Sequence, residues 1–156
     1  MTAEESLELL QARWRAIEEV VKSYGGEPAT DLTRDGLTVH VRVFSRERPT
    51  ASGALERDLY VFRLWFQDYD DHAPRVWLCD PAEPTKLGIG RQFYPKIQDN
   101  NVFGHETFFC MPGDRRCYEQ GNHPEWKRRD HYHPEVVIGS LFELLHAPGY
   151  QGRVEP

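Results

Sequence analysis

The residues best suited to chemistry crowd into one stretch. His105, Cys110, Cys117, His123, His131 and His133 lie between positions 105 and 133. Thiols and imidazoles together serve either as nucleophile and base or as ligands for zinc. A nucleophilic cysteine must be reachable and partly ionised, and neighbouring positive groups favour that state. Cys110 follows Phe108 and Phe109, with Arg115 and Arg116 close behind it in sequence and His105 and His123 on either side. Cys117 is the rival nucleophile, in a more polar, arginine-rich setting. Cys79 ends an apolar run and reads as core, where a free cysteine behaves as a small hydrophobe. The zinc alternative would use His105, Cys110, Cys117 and His123, yet the chain has no Cys-x-x-Cys pair and its spacing fits no standard zinc module. His131-Tyr132-His133, directly before a helix, reads as surface or capping. Unless that zinc set holds a metal, no cofactor is expected.

Composition narrows the classes. The chain has 156 residues, 39% hydrophobic and 28% charged, with a net charge of −6, which fits one globular domain over residues 1–156. The negative charge argues against nucleic-acid binding, and the basic runs Arg115-Arg116 and Lys127-Arg128-Arg129 read as solvated surface. No apolar run approaches a membrane span. The acidic start Thr2-Ala3-Glu4-Glu5 is unlike a secretory signal, so a cytoplasmic protein is expected. Three cysteines cannot all pair within the chain, which suits free thiols in a reducing compartment.

The elements that must position these residues are legible from periodicity. Thr2 and Glu5 form a capping-box pattern, and Leu7, Leu10, Trp14, Ile17, Val21 and Tyr24 make one helical stripe ended by Gly25-Gly26. Arg13, Arg15 and Glu18 read as its solvated face. Leu37, Val39, Val41 and Val43 alternate as a strand with one buried face. Residues 59–66 are apolar on both faces apart from Arg63, which predicts a central strand. Val76 to Cys79 is a further strand, and residues 30–33 suggest a weak first one. From Pro81 to about Arg129 no strong periodicity emerges, as expected of a long functional loop. A helix then starts at Pro134 and carries Val137, Ile138, Leu141, Leu144 and Leu145. The order predicts an α+β fold built on an antiparallel meander.

Taken in order, these pieces resemble the ubiquitin-conjugating enzyme family. Phe66-Gln67-Asp68-Tyr69 through Ala73-Pro74-Arg75-Val76 resembles that family's Phe-Pro to Pro-Pro-x-Val passage, and Tyr94-Pro95-Lys96-Ile97 is similar to its His-Pro-Asn-Ile motif. The segment from Gly104 to Phe109-Cys110-Met111 resembles the one bearing the catalytic cysteine. Trp126 and the helix from Val136 to Pro148 follow in the family's order. The resemblance implies an N-terminal helix, a four-stranded antiparallel meander, a long active-site loop and a C-terminal crossing helix. Departures are Lys96 at the motif asparagine, Tyr94 at the motif histidine, a longer loop between Cys110 and Trp126, and no sign of the family's final helices.

The resemblance implies an acyl transferase that takes a ubiquitin-like protein from an activating enzyme as a Cys110 thioester and passes it to a protein or other amine acceptor. Oxyanion stabilisation would fall to Lys96 or to the loop amides Asn100 and Asn101, and proton removal from the amine to Asp114, His123 or Asp130. A shortened bacterial member of a conjugation system, with a part in antiviral defence, fits these features by analogy. Two alternatives stand beside it: a catalytically inactive relative that binds ubiquitin-like partners, suggested by Lys96, and a zinc-binding domain.

Overall fold

Thr2 starts the first helix as its side chain predicts. Its hydroxyl accepts from the Glu5 amide at 3.1 Å while the Glu5 carboxylate accepts from the Thr2 amide at 2.6 Å, closing both ends of a capping box. In this computed structural model, which describes residues 1–87, 93–98, 102–103, 109–121, 125 and 127–153, the single long helix is divided. Helix α1 (Ala3–Ala12) and helix α2 (Trp14–Ser23) meet at Arg13. No glycine or proline breaks the chain there. Instead the Arg13 guanidinium pairs with Glu135 at 2.9 Å and with His133 Nε2 at 3.0 Å, so a residue expected as solvated charge ties the joint to the far end of the chain. Gly25, at φ +81°, ends α2 in the left-handed geometry that glycine adopts without strain.

The sheet begins later than expected. Residues 28–31 form a short helix, α3 (Pro28–Asp31), before strand β1 (Leu32–Asp35). Strand β2 (Thr38–Phe44) follows, then a small hairpin of β3 (Arg48–Pro49) and β4 (Leu55–Glu56), then β5 (Leu59–Trp65), β6 (Arg75–Asp80) and β7 (Glu83–Leu87). The main sheet has the order β1-β2-β5-β6-β7, antiparallel throughout. The meander is therefore five-stranded where four strands were expected. β7 carries no period-2 signal because residues 83–86 are all exposed, and an edge strand without a buried face has nothing to alternate. β5 is the middle strand, as its two apolar faces predicted. Cross-strand partners Val39 and Leu64, Val41 and Phe62, Phe62 and Leu78, and Leu64 and Val76 line one face, and each is buried.

After the sheet come strand β8 (Pro95–Ile97), helix α4 (Arg115–Glu119), a 3-10 turn (Arg129–His131), helix α5 (Pro134–His146) and strand β9 (Tyr150–Arg153). α5 buries Val137, Ile138, Leu141, Phe142 and Leu145, and packs against α2, where Tyr24 stacks on Phe142 with centroids 4.9 Å apart. The helix gives way to β9, which pairs antiparallel with β8. Arg46 secures that crossing by donating to the carbonyls of Ala147, Pro148 and Tyr150 at 3.0, 3.1 and 2.7 Å, satisfying groups a helix end leaves unpaired. Behind it Tyr150 Oη bonds to Tyr60 Oη at 2.7 Å and donates to Asp58, which pairs with Arg48 at 3.1 Å. One apolar cluster runs from Leu10 to Tyr150. The architecture is α+β, and no helix among the described residues is long and apolar enough to cross a membrane.

Candidate functional site

The Cys110 loop is shaped by one carboxylate. Asp114 is the N-cap of α4 and is fully buried. One of its oxygens accepts from the amides of Arg116 at 3.1 Å and Val76 at 3.3 Å, and the other from the Phe109 amide at 2.8 Å. These bonds fasten the loop to α4 and to the start of β6. The Arg115 amide adds a bond to the Pro74 carbonyl at 2.8 Å. Gly113 supplies the bend with φ +93°; a Cβ there would sit 2.7 Å from the Val137 side chain and 2.8 Å from the His131 carbonyl. Its amide donates to Tyr118 Oη at 2.8 Å.

This anchoring decides which sulfur meets solvent. Phe109 is buried edge-on against Phe62 and Phe103, with centroids 6.0 and 5.1 Å away, and Met111 is buried too. Cys110, between two inward-turned neighbours, is partly exposed, and its amide donates to the Val102 carbonyl at 2.9 Å. Cys79 and Cys117 are both buried. Burial pushes the Cys79 thiol up to about 11. Burial also pushes Cys117 up to about 11, assisted by its neighbours Cys110 and Asp114. Cys117 thus stays a protonated thiol beside Cys110. That disfavours it as a nucleophile, since the thiolate is the reactive form.

The electrostatics beneath the loop belong to an enclosed pair. Burial pushes the Asp114 carboxyl up to about 6 against the opposing pull of Arg116 and three amides. Burial likewise holds Arg116 below its usual range despite Asp114. Both partners move toward neutrality, so the cost of removing them from water exceeds what their attraction returns. Arg116 lies over the rings of Trp77 and Phe109 at 5.0 and 5.5 Å and donates to the Val76 carbonyl. Sequence suggests a solvated charge and a field for the thiol; the side chain is instead a half-buried strut. Arg115 is taken up by Asp68 at 3.6 Å and Glu119 at 3.2 Å.

The remaining candidates fall in different places. Asp114, proposed from sequence as a proton acceptor, is enclosed by its own partners and out of reach of an incoming amine. Lys96 is exposed on β8, and among the described residues no hydrogen bond or ion pair joins it to the Cys110 loop. Asn100, Asn101, His105, His123 and Trp126 lie outside the described residues. Of the alternative zinc set, Cys110 and Cys117 come together, and no cluster of three or more metal-ligating side chains forms among the described residues. Asp130 is exposed and pairs with Arg128 at 3.1 Å.

Two features eluded the sequence reading. Gly113-Asp114 ahead of a short helix is an N-cap signal that could have marked Asp114 as structural. His133 bridges Arg13 and Tyr69, whose hydroxyl is 2.9 Å from Nδ1; because guanidinium only donates, Nε2 is the bare nitrogen and Nδ1–H donates to Tyr69. No local pattern announces that bridge. No protein-family model, no curated protein and no solved structure matches the chain.

Proposed function

We propose that this chain is a conjugating enzyme for a ubiquitin-like protein, working in the cytoplasm with Cys110 as its acyl carrier. The observation that carries the reading is the partial exposure of Cys110 on a loop braced from beneath, while the other two cysteines are buried. The order of the described elements supports it: N-terminal helices, antiparallel meander, the cysteine-bearing stretch with β8 and α4, then a helix that packs back on α2. So does the ordered set of motifs from Phe66 to Pro148.

In this reading the Cys110 thiolate attacks the thioester carbonyl of the ubiquitin-like protein held on its activating enzyme. A new C–S bond forms, the old one breaks, and the activating enzyme's thiolate leaves. An amine of the acceptor then attacks the Cys110 thioester, forming C–N as the C–S bond breaks and its proton passes to base or solvent. Phe109 and Met111, locked into the core, hold the sulfur in place, so positioning comes from the loop. Lys96 or Asn101 remain the candidates for the oxyanion. Cys117, buried and protonated, is not the carrier.

The test is ATP-dependent loading with the activating enzyme and ubiquitin-like protein of the same source. The expected adduct is cleaved by thiol reductants and weighs one ubiquitin-like protein less one water. Cys110→Ala loses it and Cys117→Ala keeps it. Loading that survives Cys110→Ala overturns the proposal, and binding of the ubiquitin-like protein without any loading favours the inactive, partner-binding alternative.

A further inference from the structure

Cys110 and Cys117 are seven positions apart, yet the turns between them fold their side chains together. The Met111 amide donates to the Phe109 carbonyl at 2.9 Å, Asp114 to Met111 at 3.4 Å, and Cys117 to Asp114 at 3.0 Å. Asp114 holds both ends of this turn, its carboxylate accepting from the Phe109 amide at 2.8 Å and its carbonyl from the Cys117 amide, and Cys110 is an electrostatic neighbour of the Cys117 thiol. Cys110 is partly exposed and Cys117 is fully buried. Cys79, on β6, is also buried, and its electrostatic neighbour is Arg63 rather than a second thiol.

We propose that Cys110 and Cys117 are a peroxide-responsive pair, Cys110 the oxidised thiol and Cys117 the one that resolves it into an intramolecular disulfide. A hydroperoxide supplies the oxidant. The Cys110 thiolate attacks the peroxide, its S–O bond forms, the O–O bond breaks, and hydroxide leaves, giving a sulfenic acid. Cys117 sulfur then attacks Cys110 sulfur; S–S forms, S–O breaks, and the Cys117 proton leaves with the hydroxyl as water. Two thiols and one hydrogen peroxide become one disulfide and two waters.

The order of events follows from the surroundings. Oxidant reaches Cys110 first because it alone of the three cysteines is partly exposed. Cys117 is buried and held protonated by that burial, so it does not compete for the oxidant and acts only on the oxidised sulfur beside it. The proposal does not depend on acyl transfer. If Cys110 is also the carrier, the disulfide blocks loading until a thiol reductant restores it.

The experiment uses the intact protein and limiting hydrogen peroxide, followed by alkylation under denaturing conditions and mass mapping. The expected product is monomeric and lighter by two hydrogens. Cys110 and Cys117 are joined in a peptide mapped without reductant and lost to alkylation, while Cys79 is still alkylated. Dithiothreitol recovers both thiols. With dimedone present, Cys117→Ser traps a Cys110 sulfenic adduct that the wild type largely avoids. Disulfides between molecules, sulfinic acid at Cys110 as the main wild-type product, or a Cys110 that stays reduced under these conditions would each overturn the proposal, whether or not the acyl-carrier test succeeds.

Discussion

Asp114→Asn is the substitution that reports most directly on how the loop is held. Asparagine keeps the shape and one acceptor oxygen, which still serves the amides of Val76 and Arg116. Its NH2 group replaces the oxygen that accepts from Phe109 at 2.8 Å, setting donor against donor. An orphaned buried amide costs about 1–3 kcal/mol. Removing one partner of a buried ion pair costs about 3–5 kcal/mol, but Arg116 keeps the Val76 carbonyl and two aromatic faces. A loss of about 3 kcal/mol at neutral pH is expected. In urea, followed by tryptophan fluorescence, a slope of about 2 kcal/mol per molar turns this into a midpoint lower by roughly 1.5 M.

The pH dependence makes the test sharper. The folded Asp114 carboxyl is pushed up to about 6 from an ordinary 3.8, so between those values the folded chain binds a proton that the unfolded chain has released. Stability from this group is therefore fully present in acid and lost as pH rises through the folded value. Asparagine does not titrate, so the wild type's advantage should widen on going from pH 7 to pH 4. The widening should reach roughly 2–3 kcal/mol, at about 1.4 kcal/mol for each pH unit separating the folded and unfolded titrations. A variant as stable as wild type would refute the anchoring role. A gap that narrows in acid would show that the anion, rather than the acid, is the favoured buried form.

Three further outcomes are expected. Gly113→Ala should lower stability by about 1–3 kcal/mol, read by thermal denaturation, because its Cβ collides with Val137 and the His131 carbonyl at a positive φ. Tyr150→Phe should cost about 1–3 kcal/mol by removing bonds to Tyr60 and Asp58. Burial raises the Asp58 carboxyl, but Arg48 and Tyr150 outweigh it and hold it below its usual value; its contribution is present at neutral pH and lost in acid, so this variant's deficit should shrink as pH falls below the ordinary carboxylate range, opposite to Asp114→Asn. Iodoacetamide on the folded protein should label Cys110 well before Cys79 and Cys117, as peptide mapping would show; early label on either buried cysteine contradicts the assignment.

Local pattern was enough for the elements whose burial repeats along the chain. The alternation of Val39, Val41 and Val43 with polar neighbours marks one buried face, and the apolar run from Leu59 to Phe66 could satisfy itself only in mid-sheet. The Thr2–Glu5 box and the stripe of α5 likewise follow from helix geometry. The cysteine-bearing segment stands out by residue type, and sequence context favours Cys110 over Cys117.

Tertiary structure alone decided what depends on neighbours distant in sequence. β8 and β9 pair Pro95 with Arg153, and no periodicity in either short strand foretells the other. Arg13 interrupts the first helix where its guanidinium meets Glu135 on α5. Asp114 and Arg116 look like surface charge until β6 and the Phe109 ring close over them. Side-chain chemistry belongs to the residue, but exposure and ionisation belong to whatever packs around it. That is why sequence could name the thiols, and only the packed chain could leave one partly exposed and bury the other.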